Sequence, residues 1–313
     1  MAKVYHHDDH DGRAAGFLVK KFYAEQGKEI ECIEVDYNSQ PPINTIQPDE
    51  DIWIVDYSFE PELMWQVLEM THNIHFIDHH QTAMEKYNDF PEKLAGLRVN
   101  GLAGCELTWI YITLLDEGIK CFGALPTFFE ENKEKFLQDM PLFVNLIGDK
   151  DVWRWEHGEK TECFDLGLRS YDTSVNANVW EKLYYDFFEL DGGYHTILID
   201  AGKTIKKYRD QWSKDYREAN GFPVEFEGLN CYAMNIGRVG SEFFGEKSKE
   251  YDIVIPFVFH KDGSWKISLY SVNPNVDCAK LAQKYGGGGH KGASGLSYKG
   301  DINKFFKVLD SPE

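Results

Sequence analysis

At 313 residues the chain is long enough for about two domains, and its 42% hydrophobic and 15% aromatic content excludes disorder as its main state. The formal net charge of −19 is lopsided: residues 1–190 hold 16 Lys and Arg against 36 Asp and Glu, and residues 191–313 hold 17 against 16, so the first part repels a long polyanion unless metals or a local basic groove intervene. No apolar run approaches the roughly 20 residues that span a bilayer, the N-terminus lacks a signal-peptide core, and six cysteines without a Cys-x-x-Cys pair suggest free thiols in a reducing cytoplasm.

In chain order, Lys3–His7 reads as a strand and Gly12–Gln26 as a helix, with Ala14, Leu18 and Phe22 four apart. Ile30–Tyr37 and Asp51–Ser58 read as strands. Within the latter, Ile52, Trp53, Ile54 and Val55 follow without a polar break, which suggests burial on both faces, as in a parallel sheet. Pro61–Thr71 is a helix opened by its proline, Asn73–His80 a strand, and Gly104–Leu115 a helix that is apolar nearly all round. Asn132–Gly148 and Val179–Leu190 read as helices, and the alternation implies an α/β layered domain.

Asp191-Gly192-Gly193 breaks the pattern, and a long polar helix, Ile197–Asn220, follows as a connector. Phe222–Phe226, Leu229–Ile236, Tyr251–His260 and Ser264–Val272 read as strands, with a helix near Val239–Lys249 and a hairpin turn at Lys261-Asp262-Gly263. Asp277–Tyr285 is a short helix and Ile302–Leu309 the last one. The expected organisation is one α/β domain over 1–190, a linker and connector helix over 191–221, and a smaller α/β domain over 222–313.

Four polar clusters each follow an apolar element. His6-His7-Asp8-Asp9-His10-Asp11-Gly12 lies where a strand ends and a helix begins, the place where open α/β sheets bind ligands. Asp56 ends the run Ile52–Val55, although Asp is depleted within strands. Asp78-His79-His80 follows Ile74–Ile77, and Asp149-Lys150-Asp151 follows Phe143–Ile147. Any one of these reads as a turn or a charged surface. Together they supply enough carboxylates and imidazoles for two divalent cations about 3.5–4 Å apart, a pairing that clamps phosphate and generates hydroxide near neutral pH. A fifth segment, Gly286-Gly287-Gly288-Gly289-His290-Lys291-Gly292-Ala293-Ser294-Gly295, lets backbone amides approach an anion, with His and Lys adding hydrogen bonds and charge.

These five segments, in this order, resemble the DHH phosphoesterases of the DHH–DHHA1 kind, nano-RNases among them, over nearly the whole chain. His7-Asp8-Asp9-His10-Asp11-Gly12 matches His-x-Asp-x-Asp-Gly, Asp56 the second motif, Asp78-His79-His80 the name-giving triplet, Gly148-Asp149-Lys150-Asp151 the fourth motif, and Gly286–Gly295 the DHHA1 signature. The resemblance implies a mainly parallel sheet flanked by helices in a catalytic, metal-binding first domain. It also implies a DHHA1 substrate-binding domain at the C-terminus and an active site in the cleft between them. His7, Asp9 and Asp56 would hold one cation and Asp11, Asp56, His79 and Asp149 the other, with Asp56 bridging and Asp151 as the alternative to Asp149. Mn²⁺ is the expected ion, with Mg²⁺ or Co²⁺ as alternatives. His80 would sit beside the scissile phosphate, Asp78 would orient His79, and Gly287, Gly288, Gly289, His290 and Lys291 would hold the substrate's far end. Two departures stand out: Tyr270-Ser271 where many members have Arg-Ser, and Asp149-Lys150-Asp151-Val152-Trp153 where many have Asp-Thr-Gly.

The expected activity is phosphoric ester hydrolysis of short oligonucleotides or small nucleotides, by in-line attack of a metal-bridging hydroxide. A 3′-phosphoadenosine phosphate phosphatase, a cyclic-dinucleotide phosphodiesterase and, least favoured, a pyrophosphatase or polyphosphatase are the alternatives within the family. A non-catalytic nucleotide-binding scaffold is the alternative from another class. Lys and Arg are absent between Lys28 and Lys86, and those of the connector helix alternate with Asp210, Asp215 and Glu218. That argues against long nucleic acid as the substrate. No membrane partner is expected, and a homodimer is compatible with the sequence.

Overall fold

In the computed structural model, which describes residues 2–37, 39–124, 139–186 and 193–309, the apolar strands of the first part lie side by side and parallel. They are β1 (Ala2–His7), β2 (Ile30–Val35), β3 (Asp51–Val55) and β4 (Ile74–Ile77), in the order β2-β1-β3-β4. Helices α1 (His10–Glu25), α2 (Pro61–Leu68), α3 (Gln81–Lys86) and α4 (Gly104–Asp116) connect and cover them. Phe17, Leu18, Trp53, Val55, Leu107 and Ile110 fill one face of the sheet. Tyr5, Ile52, Ile54, Phe59, Met64 and Phe76 fill the other. The unbroken Ile-Trp-Ile-Val run is therefore buried on both sides, each such side chain contributing roughly 1.5–3 kcal/mol.

The register decides where the polar clusters go. His7 pairs with Val35, His6 with Val55, and Val55 with Ile77. Each strand therefore stops at one level, and the residues that follow are delivered to a single edge. Two short parallel strands, β5 (Gly96–Leu97) and β6 (Phe122–Gly123), and helices α5 (Leu142–Asp151), α6 (Glu159–Leu168) and α7 (Asn178–Tyr185) complete this part.

The chain divides into two compact units, Met1–Ile205 and Lys206–Glu313, the division falling inside the 27-residue helix α8 (Tyr194–Asn220). The second unit is a seven-stranded sheet: β7 (Gly221–Phe226), β8 (Leu229–Asn235), β9 (Ile253–Phe259), β10 (Trp265–Tyr270), β11 (Gly288–His290), β12 (Ala293–Tyr298) and β13 (Lys307–Val308). Its order is β11-β12-β10-β9-β8-β7-β13, antiparallel except between β8 and β9. The helix Cys278–Gln283 packs on it, over a core that includes Phe226, Ile255, Phe257, Ile267, Leu269 and Leu296.

Three sequence expectations change here. Ile302–Leu309 is a 3-10 turn, Ile302–Lys304, followed by edge strand β13, because the adjacent Phe305 and Phe306 are both buried in the core. The helix expected near Val239–Lys249 is a 3-10 turn, Ser241–Phe244, and a separate helical turn, Lys247–Glu250, interrupted by Gly245 at φ 52°. Within the described part of the stretch read as Asn132–Gly148, the helix begins at Leu142, after Pro141. Its residues 132–138 lie outside the described residues, as do the end of Val179–Leu190 and the break at Asp191-Gly192. Among the described residues no helix is long and apolar enough to cross a membrane.

Candidate metal centre

The site grows from the carboxyl edge of the parallel sheet. His7 ends β1, and two residues on Asp9 caps α1, accepting from the Gly12 amide at 2.9 Å. The other Asp9 oxygen lies 2.8 Å from His7 Nδ1. Asp56 follows β3 in the left-handed region, φ 52°, where residues with a Cβ are uncommon but Asp is tolerated. It is fully buried, and neither of its carboxylate oxygens has a hydrogen-bond partner. Gly104 is required beneath it: a Cβ there would lie 2.5 Å from that of Asp56.

Asp11, 1% exposed, accepts from the amides of Gly104 and Cys105 at 2.7 Å each. It thereby meets the N-terminus of α4, where a carboxylate is favoured. His79 Nε2 faces three carboxylates at once: Asp56 at 3.1 Å, Asp151 at 3.4 Å and Asp11 at 3.6 Å. His80 Nδ1 lies 2.8 Å from Asp78, whose carboxylate also takes the His79 and His80 amides and the Ser58 hydroxyl.

Three groups result whose donor atoms lie within 4.8 Å of one another: His7 with Asp9 and Asp56, Asp11 with His79 and Asp151, and Asp56 with His79 and His80. Asp56 and His79 each belong to two of them. The electrostatics are those of a cluster short of positive charge. Burial, then the proximity of Asp11, Asp9 and Asp151, pushes Asp56 well above the usual carboxylate range. Burial and the same neighbours, Asp11 and Asp9, push Asp151 up to about 8. Asp9 goes the other way, to about 2, because His7 and the Gly12 amide outweigh its burial. Burial lowers His79, while the bond to Asp78 raises His80. A buried carboxylate with two unpartnered oxygens among further carboxylates and imidazoles costs free energy unless cations share the space. The oxygen and nitrogen donors fit a divalent ion such as Mn²⁺ or Mg²⁺.

The structure redistributes three of the expected roles. Asp149 is not brought to the cluster. Its carboxylate, 0% exposed, accepts from the amides of Glu156 (2.7 Å) and His157 (3.2 Å) and from the Thr161 hydroxyl, and so ties down the loop after α5. Asp151, two residues on and so on the opposite side of the helix, takes the place beside His79 and Asp11. Asp78 aligns the imidazole of His80, not that of His79. Of the other loop histidines, His6 is buried with Nδ1 on the His7 carbonyl, and His10 pairs with Asp165 at 3.2 Å.

Two aromatic residues beside the cluster carried no role in the sequence reading. Tyr37 and Tyr57 stack at 4.7 Å, and Tyr37 lies 5.5 Å from the His7 ring. Their signal was positional: Tyr57 follows Asp56, and Tyr37 ends the expected strand Ile30–Tyr37. In the second unit the glycine-rich segment is a hairpin, β11 against β12. Gly289 has φ 138°, and a Cβ there would lie 2.7 Å from the Ala293 carbonyl. Gly288, Gly289, His290 and Lys291 are exposed along that sheet edge, and Gly287 is partly covered by Leu296.

Residues 236–311 match the DHHA1 domain family. Oligoribonuclease NrnB of Bacillus subtilis is 22% identical, over 98% of this chain and 75% of that protein. Protein R106 of Acanthamoeba polyphaga mimivirus is 23% identical over 80% of this chain, which spans 54% of the length of that relative. Among solved structures, the pGpG-specific phosphodiesterase PggH from Vibrio cholerae superposes with a TM-score of 0.52 over 96% of this chain and 94% of that one, at 12% identity. At that identity the likeness shows a shared fold.

Proposed function

We propose that this chain, whose residues 236–311 match the DHHA1 domain family, is a DHH phosphoesterase, a divalent-metal-dependent hydrolase of phosphoric esters in short oligonucleotides or small nucleotides. The observation that carries the reading is Asp56, buried with both oxygens unpartnered between two imidazoles and three further carboxylates. In this reading His7, Asp9 and Asp56 hold one cation, and Asp11, Asp56, His79 and Asp151 hold the other. The ions supply Lewis acidity and a water-derived nucleophile near neutral pH.

The remaining work falls to the chain's own groups. With Nδ1 held on Asp78, His80 presents Nε2 to the phosphoryl group, and the raised affinity of its ring for a proton suits it to donate one. Asp11 keeps its position through the α4 amides and Asp9 through the Gly12 amide, so neither needs to reorganise during reaction. His290, Lys291 and Gly287–Gly289 are the candidates for holding a terminal phosphate. The acidic first part favours a substrate with few phosphates, in keeping with the oligoribonuclease and the pGpG phosphodiesterase that the chain resembles.

The test is product analysis with Mn²⁺ on RNA of two to five residues, on a strand of about 20 nucleotides, and on 3′-phosphoadenosine phosphate and cyclic dinucleotides. Efficiency is expected to fall steeply with strand length, and chelator to abolish turnover. Equal rates on short and long strands, with affinity collapsing as salt rises, would instead indicate a processive nuclease.

A further inference from the structure

Two cavities border the metal centre, and their linings differ in kind. One, of about 300 Å³, joins Asp9, Asp11 and Asp151 to Arg13, Lys150 and Arg169. The other, of about 400 Å³, is lined by Tyr37, Tyr57, Phe59 and Leu63 with Gln40 and Gln66, carries the carboxylates of Glu60 and Glu62, and, among the described residues, has no lysine or arginine in its wall. We propose that this second cavity is a nucleobase subsite and that Tyr37 is the platform on which the base stacks. The proposal rests on reading the chain as a nucleotide phosphoesterase and deepens it by naming where the base goes.

Tyr37 is 56% exposed, yet its ring is held on one side. It lies 4.7 Å from Tyr57 at an interplanar angle of 28°. Tyr57 is itself 4% exposed, its hydroxyl donates to the Asp36 carbonyl at 3.2 Å, and Phe59 meets it edge-on. An aromatic ring anchored beneath and open to solvent has given up much of its rotational freedom before a ligand arrives, which lowers the entropic cost of stacking.

Its position is specific. The Tyr37 ring is 5.5 Å from that of His7 and 6.4 Å from that of His80. Those imidazoles lie 3.8 Å and 3.9 Å from the carboxylate of Asp56. A base on Tyr37 is therefore next to the groups proposed to handle its phosphate.

The chemistry of the wall selects the ligand. A phosphate would shed water there and meet the carboxylates of Glu60 and Glu62 with no lysine or arginine in the wall, whereas a neutral heterocycle meets the rings of Tyr37, Tyr57 and Phe59. Gln40 and Gln66 each offer a donor and an acceptor, so any base edge can be satisfied and none is required. The cavity with Arg13, Lys150 and Arg169 also carries five aspartates and, with the proposed cations bound there, suits the charged part of the substrate. The division predicts a site that demands a base and tolerates its identity.

The test compares a diribonucleotide with the same compound carrying abasic ribose at either position, using the full chain with Mn²⁺. Wild type, Tyr37→Phe, Tyr37→Leu and Tyr37→Ala are assayed, and the readout is the ratio of kcat/KM between base-containing and abasic substrates. Wild type and Tyr37→Phe are expected to prefer the base by about 5- to 100-fold, the range a single base–aromatic stack commands. Tyr37→Leu and Tyr37→Ala are expected to lose most of that ratio through KM. Undiminished discrimination in Tyr37→Ala, or none in wild type, would overturn the subsite. Hydrolysis of neither compound by wild type, with or without Mn²⁺, would overturn the phosphoesterase reading itself.

Discussion

The two larger sheets among the described residues end in opposite ways. At the carboxyl edge of the parallel sheet, buried acids crowd together and the two oxygens of Asp56 accept no hydrogen bond. At the glycine-rich edge of the mixed sheet, the backbone closes on itself. β11 pairs with β12, the Ser271 amide donates to the Gly292 carbonyl, and the Cys278 amide donates to that of Lys291. The first edge stores unfavourable electrostatics that a cation would relieve. The second is paired with β12 on one side and offers exposed groups, Gly288, Gly289, His290 and Lys291, to a ligand. An unsatisfied, buried edge is where chemistry is expected, and an exposed one without crowded charges is where binding is expected.

The sharpest way to break this contrast is Asp56→Asn. Turnover is expected to fall about 10³-fold or more, as when charge stabilisation of a transition state is removed. The metal-free variant is expected to melt at a higher temperature than metal-free wild type, because an acid buried among other acids has become a neutral amide. Wild-type activity, or a lower melting temperature without metal, would remove Asp56 from the centre of the account.

Next in size is the comparison of Asp151→Asn with Asp149→Asn. Asp151→Asn is expected to weaken metal binding measured by calorimetry while leaving the fold unchanged. Asp149→Asn is expected to keep both metals and to lose about 1–3 kcal/mol of stability in denaturant titration, since buried donors of the loop lose a charged acceptor. The reverse pattern would restore Asp149 as the ligand.

The pH dependence of the metal-free protein sharpens the contrast further. The Asp151 carboxyl titrates near 8 when folded and near 3.8 when unfolded. The folded state therefore binds more protons between those values, and its stability falls as pH rises from about 4 to about 8, levelling off above. Metal binding requires the deprotonated form, so Mn²⁺ affinity is expected to rise over the upper part of the same window. Melting curves at fixed ionic strength across pH 4–9 would show a downward slope without Mn²⁺ that flattens when Mn²⁺ is saturating. The same downward slope with and without Mn²⁺ would mean that Asp151 is not in the cluster.

The smallest expected effect is in the second unit. His290→Ala should reduce efficiency on nucleotides by the loss of one charge-assisted hydrogen bond, about 1.5–3 kcal/mol, with the number of bound metals unchanged. Fewer bound metals in that variant would place His290 in the centre instead.

Much of this was legible in the sequence, for a physical reason. Unbroken apolar strands imply a parallel sheet, parallel strands end at one edge, and the acids and histidines written after Tyr5, Val55 and Ile77 must then meet. The choice between Asp149 and Asp151 was not legible. It turns on the Thr161 hydroxyl twelve residues away and on a loop in which Trp153 and Trp155 both adopt φ 57°, neither of which leaves a local pattern. Asp78 shows the same limit: adjacent to both histidines in sequence, it reaches the ring of His80 because its own strand ends one residue before it. The nature of Ile302–Leu309 was hidden because two adjacent phenylalanines read equally well as a helix face, and only the β7 edge beside them decides for a strand.

Asp11 has a consequence for spectroscopy. Its two oxygens each hold one amide proton of the first turn of α4, those of Gly104 and Cys105. A diamagnetic ion such as Mg²⁺ binding to that carboxylate would withdraw electron density from both bonds, moving the two proton resonances and their exchange rates together. Two buried backbone probes are thus wired to one ligand of one ion. Titrating them in a two-dimensional NMR spectrum would report occupancy of that position in the resting protein, with no substrate and no turnover.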